Sequence, residues 1–178
     1  EINRGNPAQI FGEMLTLLEA DKRTPSEALE LSYRRENEKG VYIPENLYVI
    51  GTMNLADRSL AMVDFALRRR FAFFNLYPCF EAPWLQYMQK NTGLSQDLLF
   101  KIKERVIALN QTIEEDRALG KAFVVGHSYF THSEPIDNPI TWFKSIINSD
   151  IIPLLEAYWL DDLDKVIPCV DKLLVSLE

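Results

Sequence analysis

The sequence predicts an α/β unit followed by an α-helical bundle. Residues 47–50 form a continuous apolar run, which is typical of a strand covered on both faces in a parallel sheet. A segment with helical spacing over residues 60–70 and a second apolar stretch over residues 71–77 complete a strand–helix–strand unit with short links. Later apolar residues recur at helical intervals instead. We therefore expect one domain over residues 1–80 and a second, helical domain over residues 81–178.

The first domain is predicted to begin with a helix and to carry a β-hairpin insertion. Apolar residues between positions 10 and 18 share one broad helical face, which Asn6 can cap and Pro7 can begin. Residues 24–46 are polar and interrupted, with two short apolar pieces, a pattern that favours a loop-rich hairpin. The expected architecture is therefore a parallel-sheet βαβ unit with a β-hairpin inserted before it.

The second domain is predicted to be a bundle of helices. A long amphipathic helix over residues 94–116 begins at Ser95, a good N-cap. Residues 119–130 are apolar with two glycines, which indicates an extended or turn-like segment. Residues 139–162 are expected to form two helices that are broken near Pro153, and a short helix follows later in the chain.

Composition excludes several classes of protein. A hydrophobic fraction of 47% and a charged fraction of 25% are ordinary for a water-soluble globular domain, and no apolar run is long enough to span a bilayer. Two cysteines cannot form a disulfide framework, which favours a reducing, cytoplasmic location without membrane contact. The net charge of −7 argues against a nucleic-acid-binding surface over the whole molecule.

Asn54 follows the predicted strand over residues 47–50. In open α/β sheets, ligands bind beyond the carboxyl ends of parallel strands, so this amide is placed to face a ligand. An asparagine in such a turn also commonly bonds to its own backbone two residues further on, in an Asx-turn. Physical chemistry alone weights the two interpretations about equally.

Three consecutive arginines end the predicted helix over residues 60–70. Arg68 follows Asp64 by four residues, a spacing that forms an ion pair within a helix. Arg69 shares an outward face with the apolar Met62 and Phe65, which is typical of an interface. Guanidinium groups bind phosphate bidentately and are always charged, so an arginine presented at an interface suits phosphate recognition.

Three motifs, "EINRGN", "GTMNLADRS" and "VDFALRRRF", occur in an order that resembles the McrB family. This family comprises GTPase motor subunits of modified-cytosine restriction systems and lies within the AAA+ ring ATPases. The stretches "LGKAFVVGHSYF" and "IIPLLEAYW" resemble the family's C-terminal helical lid. The resemblance covers nearly the whole chain and is weakest over residues 84–116. It implies a partial AAA+ core followed by a helical lid bundle.

The resemblance implies roles for individual residues. Glu1 matches the second acid of the Walker B motif, which polarises the attacking water, and Asn54 matches the sensor asparagine, which contacts the γ-phosphate or orients that water. Arg69 and Arg70 are both candidates for the arginine finger that reaches a neighbour's nucleotide. His127 either approaches the nucleotide from the lid or is a satisfied buried histidine. The remaining signature positions are Asn3, Arg4, Asp57 and Arg58.

The sequence also departs from the family's pattern. It contains no G-x-x-x-x-G-K-[ST] phosphate loop, and no Walker B aspartate precedes Glu1. The family's N-terminal DNA-recognition region is absent too. We therefore expect these 178 residues to correspond to the C-terminal half of a motor and to bind no nucleotide tightly and hydrolyse none. Missing segments or self-association would then be needed to cover the apolar sheet edge.

For the full-length protein, the resemblance implies hydrolysis of GTP, or of ATP as the alternative, with Mg²⁺. It also implies a homo-oligomeric ring of six subunits, a separate McrC-like nuclease subunit, and contact with DNA through the missing N-terminal domain. Two alternatives stay open: a non-catalytic AAA+-like assembly module and an ATP-using AAA+ motor of another process. A sequence-specific DNA-binding domain is disfavoured by the acidic charge. His127 and His132 lack further ligands at suitable spacing, so no metal site is expected.

Overall fold

The computed structural model describes residues 1–33, 35, 37, 39–54, 56 and 65–175, except for the side chain of Ala66. The chain divides into two compact units, Glu1–Asn75 and Leu76–Glu178. We call them the core unit and the lid unit and describe each by itself. The boundary expected from the sequence lies five residues further along, between residues 80 and 81.

In the part of the core unit that the structure describes, all helices are short. Helix α1 (Pro7–Phe11) begins as predicted, because Pro7 occupies its first turn and Asn6 Oδ1 accepts a hydrogen bond from the Gln9 N–H at 3.2 Å. Gly12 follows with φ of 51°, in a left-handed conformation that ends the α-helix. Helix α2 spans Phe65–Arg68. Short 3₁₀ turns cover Ile2–Arg4, Gly12–Leu18, Ala20–Lys22 and Pro25–Glu27.

The parallel βαβ sheet and the β-hairpin predicted for this unit are not found among the described residues. What is found is one isolated antiparallel bridge, in which Leu29 and Val41 exchange backbone hydrogen bonds of 2.9 and 2.8 Å. Tyr48 and Ile50 are 82% and 91% exposed, and Leu76 is 97% exposed. A strand needs a neighbour to pair its backbone groups, and neither apolar segment has a paired strand in the described chain. The predicted helix over residues 60–70 is described only from residue 65 onward.

The lid unit contains the longer helices. They are α3 (Ala82–Thr92), α4 (Gln96–Glu115), α5 (Pro139–Ile146), α6 (Ile152–Tyr158) and α7 (Val166–Leu174). Single 3₁₀ turns cover Lys121–Phe123, His127–Phe130 and Leu163–Lys165. Helix α4 begins at the predicted cap, since Ser95 Oγ accepts the Leu98 N–H at 3.3 Å. In the described part of the chain, no helix is long and apolar enough to cross a bilayer.

Helix α4 lies at the centre of the lid core. Its buried side chains recur every three or four residues, as the helical periodicity predicts, and are Leu99, Ile102, Val106, Leu109 and Ile113. Buried residues of α5, α6 and α7 complete the same cluster, among them Phe143, Leu155 and Leu173. Each fully buried large apolar side chain contributes about 1.5–3 kcal/mol, so the lid has an apolar core of its own.

Pro153 changes the helix in which it lies without ending it. The predicted break near this residue is a π-helical segment, Ile147–Ile151, that joins α5 directly to α6. Proline lacks an N–H and its ring collides with the carbonyl four residues earlier in a regular helix. A π turn widens the backbone at this point and accommodates the ring. The two predicted helices therefore follow one another without a loop.

Candidate functional site

The first residues of the core unit lie against the segment that ends at Asn54. The Ile2 N–H donates to the Thr52 carbonyl at 2.8 Å, and Asn3 Nδ2 donates to the Asn54 carbonyl at 3.0 Å. Asn3 is 5% exposed, so its amide is shielded from solvent and its bond to Asn54 is well protected. The structure thus brings together two of the three motifs that the sequence singled out.

The side chain of Asn54 makes a local turn. Its Oδ1 accepts the Ala56 N–H at 3.0 Å, which is the Asx-turn interpretation of this residue. The residue is also exposed. With Oδ1 engaged in the turn, the Nδ2 group is the part of the side chain that suits a phosphate oxygen, because it is a hydrogen-bond donor. Asp57 and Arg58 lie outside the described residues.

Glu1 and Arg4 form an ion pair on the surface. Glu1 Oε2 lies 2.5 Å from Arg4 Nε, and the two side chains are 44% and 64% exposed. Exposed pairs of this kind contribute little to stability, about 0–1 kcal/mol. The Glu1 carboxylate is therefore accessible and only weakly held by its partner.

Arg69 and Arg70 have different environments. Arg70 pairs with Glu19, and its side chain is 12% exposed. Arg69 is exposed, and so is Phe65, four residues earlier, at 84%. Arg68 is exposed as well, while its predicted partner Asp64 and the predicted interface residue Met62 lie outside the part that the structure describes.

His127 is engaged within the lid unit. It lies in a 3₁₀ turn, and its Nδ1 accepts the backbone N–H of Cys79 at 3.1 Å. The ring of Phe80 meets the imidazole edge-on, with ring centres 6.1 Å apart. The imidazole is thus held by two consecutive residues near the start of the lid.

Two polar residues of the lid, whose side chains join separate segments by hydrogen bonds, were not predicted from the sequence. Asn110 bonds to both backbone groups of Val125, since its Nδ2 donates to the Val125 carbonyl at 2.9 Å and its Oδ1 accepts the Val125 N–H at 2.6 Å. Asp116 accepts hydrogen bonds from Lys165, Ala118 and Trp159, which lower the pKa of its carboxyl to about 2. The sequence holds one local hint of the role of Asn110, which is its position directly after Leu109, a residue of the buried face of α4.

The other titratable groups among the described residues form no metal site, and the buried cysteine offers no reactive thiol. Within the described ranges, no three His, Cys, Asp or Glu side chains are arranged to hold a metal ion. Cys169 is buried and burial raises the pKa of its thiol, which makes it a poor nucleophile. A cavity of about 240 Å³ between α4 and α7 is lined by residues such as Arg105, Leu109 and Cys169, and by none of the predicted site residues.

Two protein families match consecutive parts of the chain. The AAA domain family (dynein-related subfamily) matches residues 1–71, and the alpha-helical lid domain of McrB matches residues 101–167. The chain is McrB-like, with an AAA core followed by a helical lid. This confirms the resemblance inferred from the three motifs and the helical character of the second half.

Two relatives carry restriction-system names. The "Type IV methyl-directed restriction enzyme EcoKMcrB subunit" of Escherichia coli (strain K12) is 42% identical over 177 residues, which is 98% of this chain and 39% of the relative. The "Type II restriction enzyme BsuMI component YdiS" of Bacillus subtilis (strain 168) is 32% identical over 82 residues, 41% of this chain and 24% of the relative. The chain therefore spans about two fifths and one quarter of these proteins.

Proposed function

We propose that this McrB-like chain is the sensor and lid portion of a nucleotide-hydrolysing motor in a DNA restriction complex. The supporting observation is the Asn3–Asn54 hydrogen bond of 3.0 Å, which holds the segment containing Glu1 against the segment containing Asn54. A hydrolytic site needs these two groups together, because one activates water and the other orients it. The names of the two relatives support the restriction context.

The proposed chemistry is transfer of a terminal phosphoryl group to water. Glu1 polarises the attacking water through its carboxylate, and Asn54 donates through Nδ2 to the γ-phosphate or to that water. Phosphoryl transfer depends mainly on positioning and on stabilising charge, for which a carboxylate and an amide donor are suitable. Mg²⁺ supplies charge neutralisation when bound with the nucleotide. The phosphate loop that would cradle the nucleotide has no counterpart in these 178 residues.

Arg69 is the proposed arginine finger, acting on the nucleotide of a neighbouring subunit. Its side chain is exposed beside the exposed Phe65, whereas Arg70 is held by Glu19 and is 12% exposed. To reach a neighbour, Arg70 would have to give up that pair. Arg69 needs no such rearrangement, so the structural difference favours it over Arg70.

The full-length protein is proposed to form a six-membered ring, to use GTP, and to drive an McrC-like nuclease on modified DNA. ATP is the alternative nucleotide. Turnover of GTP and ATP, measured side by side on the full-length protein with its nuclease partner, decides between them. A non-catalytic assembly module would hydrolyse neither.

The finger assignment is tested in the full-length protein with Arg69→Ala and Arg70→Ala as a matched pair. We expect Arg69→Ala to lower turnover by about a thousandfold or more while nucleotide affinity stays within about twofold, because the finger acts only on the transition state. Arg70→Ala should change turnover far less. If Arg70→Ala gives the larger loss, the assignment of the two arginines is reversed.

Mixing two inactive variants tests whether Arg69 acts on a neighbour. Glu1→Gln and Arg69→Ala subunits should each be inactive alone. In a one-to-one mixture, about a quarter of the interfaces combine an intact Glu1 with an intact Arg69 from the next subunit. Partial recovery of turnover is the expected result. No recovery in complexes of confirmed mixed composition would contradict action in trans.

A further inference from the structure

A closed set of contacts in the lid unit joins the beginning of the lid to the turn that contains His127. We call it the His127 latch, and it consists of Cys79, Phe80, Trp84, His127 and Thr131. The Cys79 N–H donates to His127 Nδ1 at 3.1 Å, across 48 positions of sequence. The Thr131 hydroxyl donates to the His127 carbonyl at 2.7 Å, and Trp84 Nε1 donates to the Thr131 hydroxyl at 3.0 Å.

Aromatic rings of the latch also pack against one another. The Phe80 ring stands edge-on to Trp84, with centres 5.1 Å apart, and edge-on to His127, with centres 6.1 Å apart. Phe80 and Trp84 are 4% and 5% exposed. Edge-to-face pairs at these distances add about 0.5–1.5 kcal/mol beyond the area that they bury. The latch is therefore a packed cluster with a direct hydrogen bond to the backbone of the entering chain.

The latch lies where the connecting chain becomes anchored to the lid. The residues from 72 to 77 are all exposed, and the first buried side chain after them is Phe80. Of the five residues, Cys79 and Phe80 belong to the entering chain, while His127 and Thr131 belong to a turn far along the sequence. The His127 hydrogen bond thus defines the point at which the connection joins the folded lid.

The bond also defines what a substitution of His127 would remove. A backbone N–H can only donate, so His127 Nδ1 is the acceptor of this bond. An alanine at this position would remove the acceptor and leave the Cys79 N–H without it. In an asparagine, Oδ1 is bonded to Cγ as Nδ1 is in histidine, and it can accept the same hydrogen bond.

We propose that His127 is a positioning residue of the motor, which makes the entering chain around Cys79 and the lid move as one body. This inference rests on the proposed nucleotide-hydrolysing function. When the connecting chain is displaced, the lid is then displaced with it, because the chain is attached to the lid at the latch. The competing interpretation is that His127 contacts the nucleotide itself, as the family resemblance allows.

The test compares His127→Ala, His127→Asn and, as a matched control, His132→Ala in the full-length protein. Amide hydrogen exchange of the peptide containing Cys79 reports the latch without any turnover. We expect exchange there to rise about tenfold in His127→Ala, to return towards the original rate in His127→Asn, and to be unchanged in His132→Ala. Turnover at saturating nucleotide should fall in His127→Ala and recover in His127→Asn, with nucleotide affinity unchanged within about twofold.

Three results would overturn the proposal. Unchanged exchange around Cys79 in His127→Ala would mean that the hydrogen bond does not anchor the chain. Faster exchange with full turnover would mean that the latch has no part in the reaction. A loss of nucleotide affinity as large as the loss of turnover would identify His127 as a ligand contact. Failure of the motor function itself would appear separately, as absent turnover in the unmodified protein despite an exchange effect.

Discussion

At the scale of single residues, neighbouring side chains of identical chemistry can differ in their surroundings. Arg69 and Arg70 are adjacent, yet Arg70 is held by Glu19 at 12% exposure and Arg69 is open to solvent. A guanidinium that is paired and mostly buried must leave that position before it can bind the phosphate of another subunit. The accessible arginine can bind without this cost. This difference, and not the arginine-rich sequence, separates the two candidates for the finger.

Asp116 provides a prediction at the same scale. Hydrogen bonds from Lys165, Ala118 and Trp159 lower the pKa of its carboxyl from 3.8 to about 2. Because the folded state prefers the ionised form, this contribution to lid stability is complete above pH 4 and is lost as the pH falls towards 2. After discounting for solvent screening, we expect a loss of about 1–2 kcal/mol. Chemical denaturation of the full-length protein, followed by a probe in the lid at several pH values, measures it.

Asp116→Asn should remove this part of the pH dependence and lower stability at neutral pH by a similar amount. Asp164→Asn is the matched control, because Asp164 is an exposed acid of the same lid unit. It should leave the slope between pH 4 and pH 2 nearly unchanged. An unaltered slope in Asp116→Asn would show that other carboxyl groups cause the acid sensitivity.

At the scale of elements, Asn110 ties helix α4 to the segment that leads into the His127 turn. Val125 is 1% exposed, and its N–H and carbonyl are both satisfied by the Asn110 amide at 2.6 and 2.9 Å. Asn110→Ala would leave two buried backbone groups without these partners. We expect the lid to lose about 2–3 kcal/mol of unfolding free energy, measured by denaturation.

Gln111→Ala is the control for the Asn110 substitution, since Gln111 lies next to it on α4 and bonds to the exposed Glu115. The two variants introduce the same helix-favouring residue at adjacent positions. Gln111→Ala should change the unfolding free energy by less than about 0.5 kcal/mol. Equal effects of the two variants would show that the Asn110 bonds do not stabilise the lid.

At the scale of the whole molecule, the sequence predicts the lid well because its signals are local. The cap at Ser95 and the spacing from Leu99 to Ile113 lie within one helix and determine both its start and its buried face. The effect of Pro153 was predicted only in part, since whether a proline ends a helix or widens it depends on packing around it. The buried residues that form the lid core all lie within the lid unit itself.

The core unit and the site depend on distant partners, which a single sequence does not reveal. The apolar run over residues 47–50 is typical of a buried strand, but a strand forms only with a neighbour. The partners of Arg70 and His127 are Glu19 and Cys79, far away in sequence. Their pairing follows from the fold and has no periodic signal. Asn54 was ambiguous for another reason, because its Asx-turn satisfies the side chain locally.

The exposed apolar segment over residues 47–50 leads to the last prediction. Tyr48 and Ile50 are 82% and 91% exposed here, in a chain that spans 39% of its E. coli relative. If these residues pair with a strand from elsewhere in the full-length protein, their amides should exchange at least about a hundredfold more slowly there than in the 178-residue chain. Helix α4 is the internal control, because its Ile102 and Val106 are fully buried within the lid unit itself. Equal exchange of residues 47–50 in the two proteins, with α4 protected in both, would mean that this apolar run does not form a sheet strand in the full-length protein.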